Sequence, residues 1–89
     1  MSLLHEIQKV FPQMRAFFTR EQWEKFLACP FDELHIYHFS LGTWARNNLL
    51  TEGSRLETAF RAVNILQKDD MSLLMIQLLY VAYKEKGEQ

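Results

Sequence analysis

Asp69-Asp70-Met71-Ser72-Leu73-Leu74-Met75-Ile76-Gln77-Leu78-Leu79-Tyr80-Val81-Ala82-Tyr83-Lys84 is the stretch that decides the fold. It predicts a helix over about residues 71–85, apolar nearly all round until Lys84. Asp69 or Asp70 is expected to cap it, since a carboxylate accepts orphan N–H groups and favours the positive end of the dipole. Its longest apolar run, interrupted at Gln77, falls well short of the roughly 18–20 residues needed to span a bilayer. A helix of this kind is either the centre of a bundle or half of an oligomer contact. Eighty-nine residues supply few helices to cover it, so a homodimer is expected.

Outward from that helix the chain keeps helical spacing. Leu, Met and Ala together number 23 against 7 for Val and Ile, which favours helix over sheet. Ser54-Arg55-Leu56-Glu57 has the spacing of a capping box and opens a fourth helix over about 55–67. That helix is expected to bury Leu56, Ala59, Phe60, Val63 and Leu66 and to expose Glu57, Arg61 and Asn64. A third helix runs from about Phe31–Asp32 to Asn48. At 100° per residue Leu34, Tyr37, His38, Leu41, Trp44 and Ala45 share its face, widened by Phe39 and Gly42. Gly42 inside a helix costs about 1 kcal/mol relative to alanine, which points to a close crossing by another helix or to a kink.

A second helix, about 20–28, is opened by the capping box Thr19-Arg20-Glu21-Gln22, buries Trp23, Phe26 and Leu27, and is stopped by Pro30. Leu3, Leu4, Ile7, Val10, Phe11, Met14, Phe17 and Phe18 form one stripe before it. Pro12 lies on the opposite side, so the first helix is kinked or divided into two nearly collinear pieces. The expected fold is all-α: a single helical domain over 1–89, a bundle of about five helices with the third and fifth central.

Composition bounds function. A chain of 89 residues buries roughly 60% of the surface its unfolded state exposes, enough for one core. Apolar side chains make up 48% and the net charge is −1, which excludes disorder by composition and a general basic coat for nucleic acid. Arg46, Arg55 and Arg61 could gather on one side, but Glu57 interrupts them, so DNA binding is not expected. One cysteine, Cys29, allows no intrachain disulfide framework and no Cys-based zinc site. It stands before Pro30 with no base at a defined spacing and reads as a buried, inert thiol. The N-terminal residues lack the basic and apolar regions of a secretory signal, so a cytoplasmic setting is expected.

Asp32, His35 and His38 follow at i, i+3 spacings and invite a metal hypothesis, but di-iron bundles need a second such pair and further glutamates. The expectation is no metal and no cofactor. No serine sits in a strand-turn-helix elbow, and the glycines are too far apart for a phosphate loop, so no catalytic residue is assigned and an enzyme is not expected.

The richest polar cluster joins two helix ends. His38, Arg46, Asn47 and Asn48 lie along the third helix, and Asp69, Asp70 and Ser72 open the fifth, with Gly42 and Trp44 as packing positions. In one arrangement Arg46 forks onto Asp69 or Asp70 while Asn47 or Asn48 closes the third helix. The cluster then either fixes how two helices pack or forms a recognition pocket with His38 deeper inside.

His38-Phe39-Ser40-Leu41-Gly42-Thr43-Trp44-Ala45-Arg46-Asn47, followed by Asp69-Asp70-Met71-Ser72, resembles a family of small bacterial domains of unknown function. That family carries H-F-x-L-G-x-W-I-R-N and, downstream, D-D-M-S before an apolar helix. Ala45 stands here where the family has isoleucine. The resemblance implies no chemistry; it implies that His38, Gly42, Trp44, Arg46, Asn47, Asp70 and Ser72 act as one constellation. The functional expectation is a non-enzymatic protein-interaction module, homodimeric, with an unidentified protein partner. The alternatives are a small regulator of phage or mobile-element type that blocks another protein, and a ligand-binding or hydrolytic domain at His38, Arg46 and Asp70.

Overall fold

The last helix, α6 (Lys68–Glu85), runs through the middle of the molecule. In the computed structural model, which describes residues 2–86, Met71, Met75, Ile76 and Leu79 on this helix are fully buried. The other elements surround it. In order they are α1 (Leu3–Lys9), α2 (Phe11–Ala16), α3 (Arg20–Ala28), a 3₁₀ segment (Phe31–Tyr37), a π turn (His38–Gly42), α4 (Thr43–Asn48) and α5 (Arg55–Ala62). With α1–α2 as one rod and the 3₁₀–π–α4 run as another, the fold is an all-α globule of five helices. No strand occurs among the described residues.

The cover over α6 is more complete than its apolar circumference predicts. Among its apolar residues only Val81, at 37%, is more than a third exposed. The 3₁₀ segment, the π turn, α4 and α3 all pack against it. Its first turn also differs from expectation: Gln67 is the N-cap, and Asp69 and Asp70 lie inside the helix, where they meet the dipole without capping a backbone N–H.

The first rod breaks at Val10 (φ −100°, ψ 0°), two residues before Pro12. Proline lacks the N–H that would pair with the carbonyl of Gln8, and its ring would clash there, so the chain starts a new helix with Pro12 in the first turn. Because the break is shallow, Ile7, Phe11, Met14 and Phe18 still share one buried stripe. Leu4, placed on that stripe by its spacing, is half exposed.

At the start of α3 the Thr19 hydroxyl accepts from the Gln22 amide at 3.1 Å, and Gln22 Oε1 accepts from the Thr19 amide at 2.9 Å. Its far end is closed from α6. The Tyr80 hydroxyl donates to the Cys29 carbonyl, and Lys84 Nζ donates to the Leu27 carbonyl at 2.9 Å. Carbonyls that the helix leaves orphaned before Pro30 are thus satisfied by the central helix.

The third rod departs most from expectation. In place of one regular helix from residue 31, the chain is overwound for seven residues and underwound for the next five. Seven residues is long for a 3₁₀ segment, where positions i and i+3 eclipse. Leu34, Leu41 and Ala45 stay buried, while Ile36 and Phe39 are 58% and 85% exposed. The expected widening of the buried face to Phe39 fails: at 100° per residue Phe39 lies about 160° from Leu41 and about 140° from Leu34, on the opposite side.

α5 ends at Ala62, five residues before the expected end. Asn64 takes a left-handed conformation (φ 67°), the Ile65 amide donates to the Phe60 carbonyl at 3.0 Å, and the Asn64 amide donates to the Arg61 carbonyl at 3.0 Å. This is a Schellman closure with asparagine in the position usually held by glycine. Val63 and Leu66 consequently lie outside the helix and are exposed.

Glu57, expected outside, is buried. Its own amide is capped by Ser54 Oγ at 3.1 Å, but its carboxylate reaches past Ser54 to the Gly53 amide at 2.9 Å and also meets Arg61 at 3.4 Å. The Gly53 hydrogen bond holds the Glu57 carboxyl below its ordinary value of 4.5, outweighing burial, with Arg61 adding to the effect. In Glu6 burial pushes the carboxyl up, but hydrogen bonds from Lys9 and Arg55 bring it below the same value.

Both carboxylates therefore contribute stability that is fully present above about pH 4.5 and is lost as pH falls through their lowered folded values, since the unfolded chain then binds more protons. Thermal melts from pH 6 down to pH 3 should show this decline. The double variant Glu6→Gln, Glu57→Gln should start lower at pH 6 and fall less steeply; parallel curves would disprove the assignment.

Candidate functional site

Arg46 on α4 meets Ser72 on α6, and Gly42, at the end of the π turn, leaves room for that contact. A β-carbon at Gly42 would sit 3.0 Å from Arg46 Nη1, 3.4 Å from the Tyr37 carbonyl and 3.7 Å from Ser72 Oγ. Gly42 itself has ordinary helical angles (φ −59°, ψ −48°), so the requirement is for space rather than for unusual backbone.

The guanidinium fills that space and turns both terminal nitrogens to partners within the chain. Nη1 donates to Ser72 Oγ at 2.9 Å and lies 3.4 Å from His38 Nδ1. Nη2 donates to the His38 carbonyl at 3.2 Å and to Thr43 Oγ1 at 3.0 Å. Nε faces Asp69 Oδ1 at 3.6 Å. Ser72 Oγ, fully buried, in turn donates a hydrogen bond to the Asp69 carbonyl at 3.1 Å. The His38 contact requires Nδ1 to accept, with the ring proton on Nε2.

The expected fork onto a carboxylate is therefore redirected. Arg46 grips the His38 carbonyl, Thr43 and Ser72, and touches only one oxygen of Asp69. His38, Arg46, Asp69, Ser72 and Gly42 are brought together as expected. Asn48 closes α4 by donating to the Trp44 carbonyl at 2.9 Å, whereas Asn47 is exposed and outside the network. Trp44 packs against Phe17 with ring centroids 5.6 Å apart. Asp70 does not reach Arg46; it lines a groove beside it. Thr43 was missed by sequence reasoning, and its i, i+3 spacing to Arg46 was the available signal.

That groove, about 380 Å³, runs along the outside of the cluster between the third rod and the start of α6. It is lined by His35, His38, Phe39, Asp69, Asp70, Leu73 and Ile76. Its lining is mostly apolar, with two imidazoles and two carboxylates. His38 is partly buried and belongs to both features, with its ring edge-on to Phe39 at 4.7 Å. Among the described residues no three His, Cys, Asp or Glu side chains converge as metal ligands would, and Asp32 does not join His35 and His38 in the groove.

A second groove of about 270 Å³ lies on α3, lined by Phe17, Phe18, Gln22, Lys25, Tyr37 and Ser40. Cys29 is buried, and burial raises its thiol above the ordinary value, with Glu33 and Asp32 adding to the effect. No helix among the described residues is long and apolar enough to cross a membrane.

The family model described as Domain of unknown function (DUF6794) matches residues 5–82, which take in every element from α1 into α6. That description carries no activity, sequence motif or biological source. No curated protein and no solved structure matches the chain.

Proposed function

Because the chain belongs to the DUF6794 family, whose description assigns no activity, we propose from its own geometry that it is a non-enzymatic protein-interaction module. The observation that carries this reading is Phe39, 85% exposed beside an apolar groove. A large aromatic held in the open by a π turn costs apolar exposure, and such residues anchor protein contacts when a partner covers them. Ile36, also exposed, precedes it on the same rod.

Arg46 supports the same reading from the opposite direction. Every nitrogen of its guanidinium faces a partner within the chain, so binding an anion there would require dismantling the α4–α6 contact. The polar cluster supports the wall of the groove and the groove faces outward. A homodimer, if formed, would use this face rather than α6, which the bundle already covers.

Phe39→Glu is the direct test. At so exposed a position the change should shift the thermal midpoint by no more than a degree or two, within the usual surface range of about ±0.5 kcal/mol. Tagged wild-type protein should retain a partner, or a second copy in sedimentation at micromolar concentration, that Phe39→Glu loses. If both proteins capture the same set and sediment alike, this face is not the interface.

A further inference from the structure

We propose that the groove between His35–Phe39 and the first two turns of α6 takes an arginine side chain presented by a partner protein. This deepens the interaction reading above and rests on it. Phe39 and Leu73 offer the apolar surface that an arginine's methylene stem covers, with the buried Ile76 beneath them. Asp69 and Asp70 supply the charge, and no lysine or arginine lines the groove.

The two carboxylates are not equivalent. Asp69 already faces Arg46 Nε at 3.6 Å. Asp70 is in no ion pair among the described residues, so its charge is the one a ligand would answer.

Competing occupants fit less well. A carboxylate or phosphate would meet two like charges, and a wholly apolar side chain would cover Asp70 without compensating it. Lysine would satisfy the charge alone. Arginine also stacks its plane on aromatic faces, of which His35, His38 and Phe39 supply three, and can bind a carboxylate through two parallel N–H groups. At about 380 Å³ the groove holds one such side chain and part of its neighbour.

The experiment is a titration of the ¹⁵N-labelled full chain with blocked pentapeptides leucine-alanine-X-alanine-leucine, X being arginine, lysine or citrulline. Citrulline keeps the shape of arginine and removes its charge. The arginine peptide should shift amides of His35–Phe39 and Asp69–Ile76, half-saturating near 1 mM, on the order of 4 kcal/mol. The citrulline peptide should bind at least fivefold more weakly and the lysine peptide in between. Asp70→Asn should weaken the arginine peptide by the same factor while lowering the melting midpoint by no more than a few degrees, the loss of one carboxylate at the start of α6.

Equal binding of the arginine and citrulline peptides, or shifts mapping to another face, overturns the arginine slot. Equal binding on this face leaves the interaction module standing. Loss of the module itself is read separately, from the captured partners of Phe39→Glu.

Discussion

Phe26→Ala should lower the unfolding free energy by about 4 kcal/mol, the largest single-residue loss expected in the core. Phe26 is fully buried on α3, and its ring centroid lies 5.0 Å from Phe18, 5.0 Å from Tyr37, 5.5 Å from Trp23 and 5.7 Å from Tyr80. These four rings come from the end of the first rod, the 3₁₀ segment, α3 and α6. Removing Phe26 therefore leaves a cavity where four elements meet, and stiff rings cannot collapse into it. The edge-to-face and offset contacts add to the area lost, at about 0.5–1.5 kcal/mol per pair. Urea melts at neutral pH check the value. Phe26→Leu, which retains most of the volume, should lose about half as much. A loss below about 2 kcal/mol for the alanine variant would mean that Trp23 and Tyr80 close over the gap. For a domain whose total stability falls in the usual range of about 5–15 kcal/mol, such a variant still folds and remains measurable.

That aromatic hub was legible in outline. The spacing of Trp23, Phe26 and Leu27 after Thr19–Gln22 defines one helix with one buried face, and both the cap and the face are present. Helical stripes survive small perturbations, so the division at Val10 left Ile7, Phe11 and Met14 in phase. What failed was drawing the third helix's buried face too wide. Phe39 was counted on it, yet even at a constant 100° per residue it lies about 160° from Leu41, and it is the most exposed large apolar residue described. The 3₁₀ and π winding of residues 31–42 was not legible, because a single period cannot register it. The early end of α5 had a readable signal in Asn64, a residue type that tolerates the left-handed closing position. The expected exposure of Glu57 failed because its side chain reaches back to the Gly53 amide, a partner that helix spacing alone does not predict.

The polar cluster divides the same way. Sequence reasoning joined His38, Arg46, Asn47, Asn48, Asp69, Asp70 and Ser72 because both polar runs are helix ends, and the resemblance added Gly42 and Trp44; Asn47 and Asp70 fall outside the network. It could not distribute the hydrogen bonds among them. A pairing rule based on charge sends Arg46 to a carboxylate, whereas the structure sends its fork to the His38 carbonyl and two hydroxyls. The groove is still less legible. Its walls come from residues 35–39 and 69–76, and their approach depends on the 3₁₀–π irregularity.

Arg46→Ala should cost about 2–3 kcal/mol, and the comparison with Asp69→Ala decides what Arg46 contributes. Were the ion pair dominant, the two truncations would cost the same. Asp69 is 72% exposed while Arg46 is 17% exposed, and an ion pair with one solvated partner at 3.6 Å is worth about 0–1 kcal/mol. Asp69→Ala should therefore lose less than about 1 kcal/mol. Arg46 additionally makes three hydrogen bonds between 2.9 and 3.2 Å to groups at the α4–α6 crossing, each worth about 0.5–1.5 kcal/mol net. Its guanidinium also fills the space that Gly42 leaves open. Arg46→Lys separates charge from geometry: the ammonium keeps the charge but cannot fork between Ser72 on α6 and the His38 carbonyl on the π turn, so it should recover less than half of the loss. Full rescue by lysine, or equal losses for Arg46→Ala and Asp69→Ala in urea melts, would assign the contact to charge. The expected order, with alanine worst, lysine intermediate and Asp69→Ala nearly neutral, would make Arg46 the fastener that holds the π turn against α6 and with it the wall from which Phe39 projects.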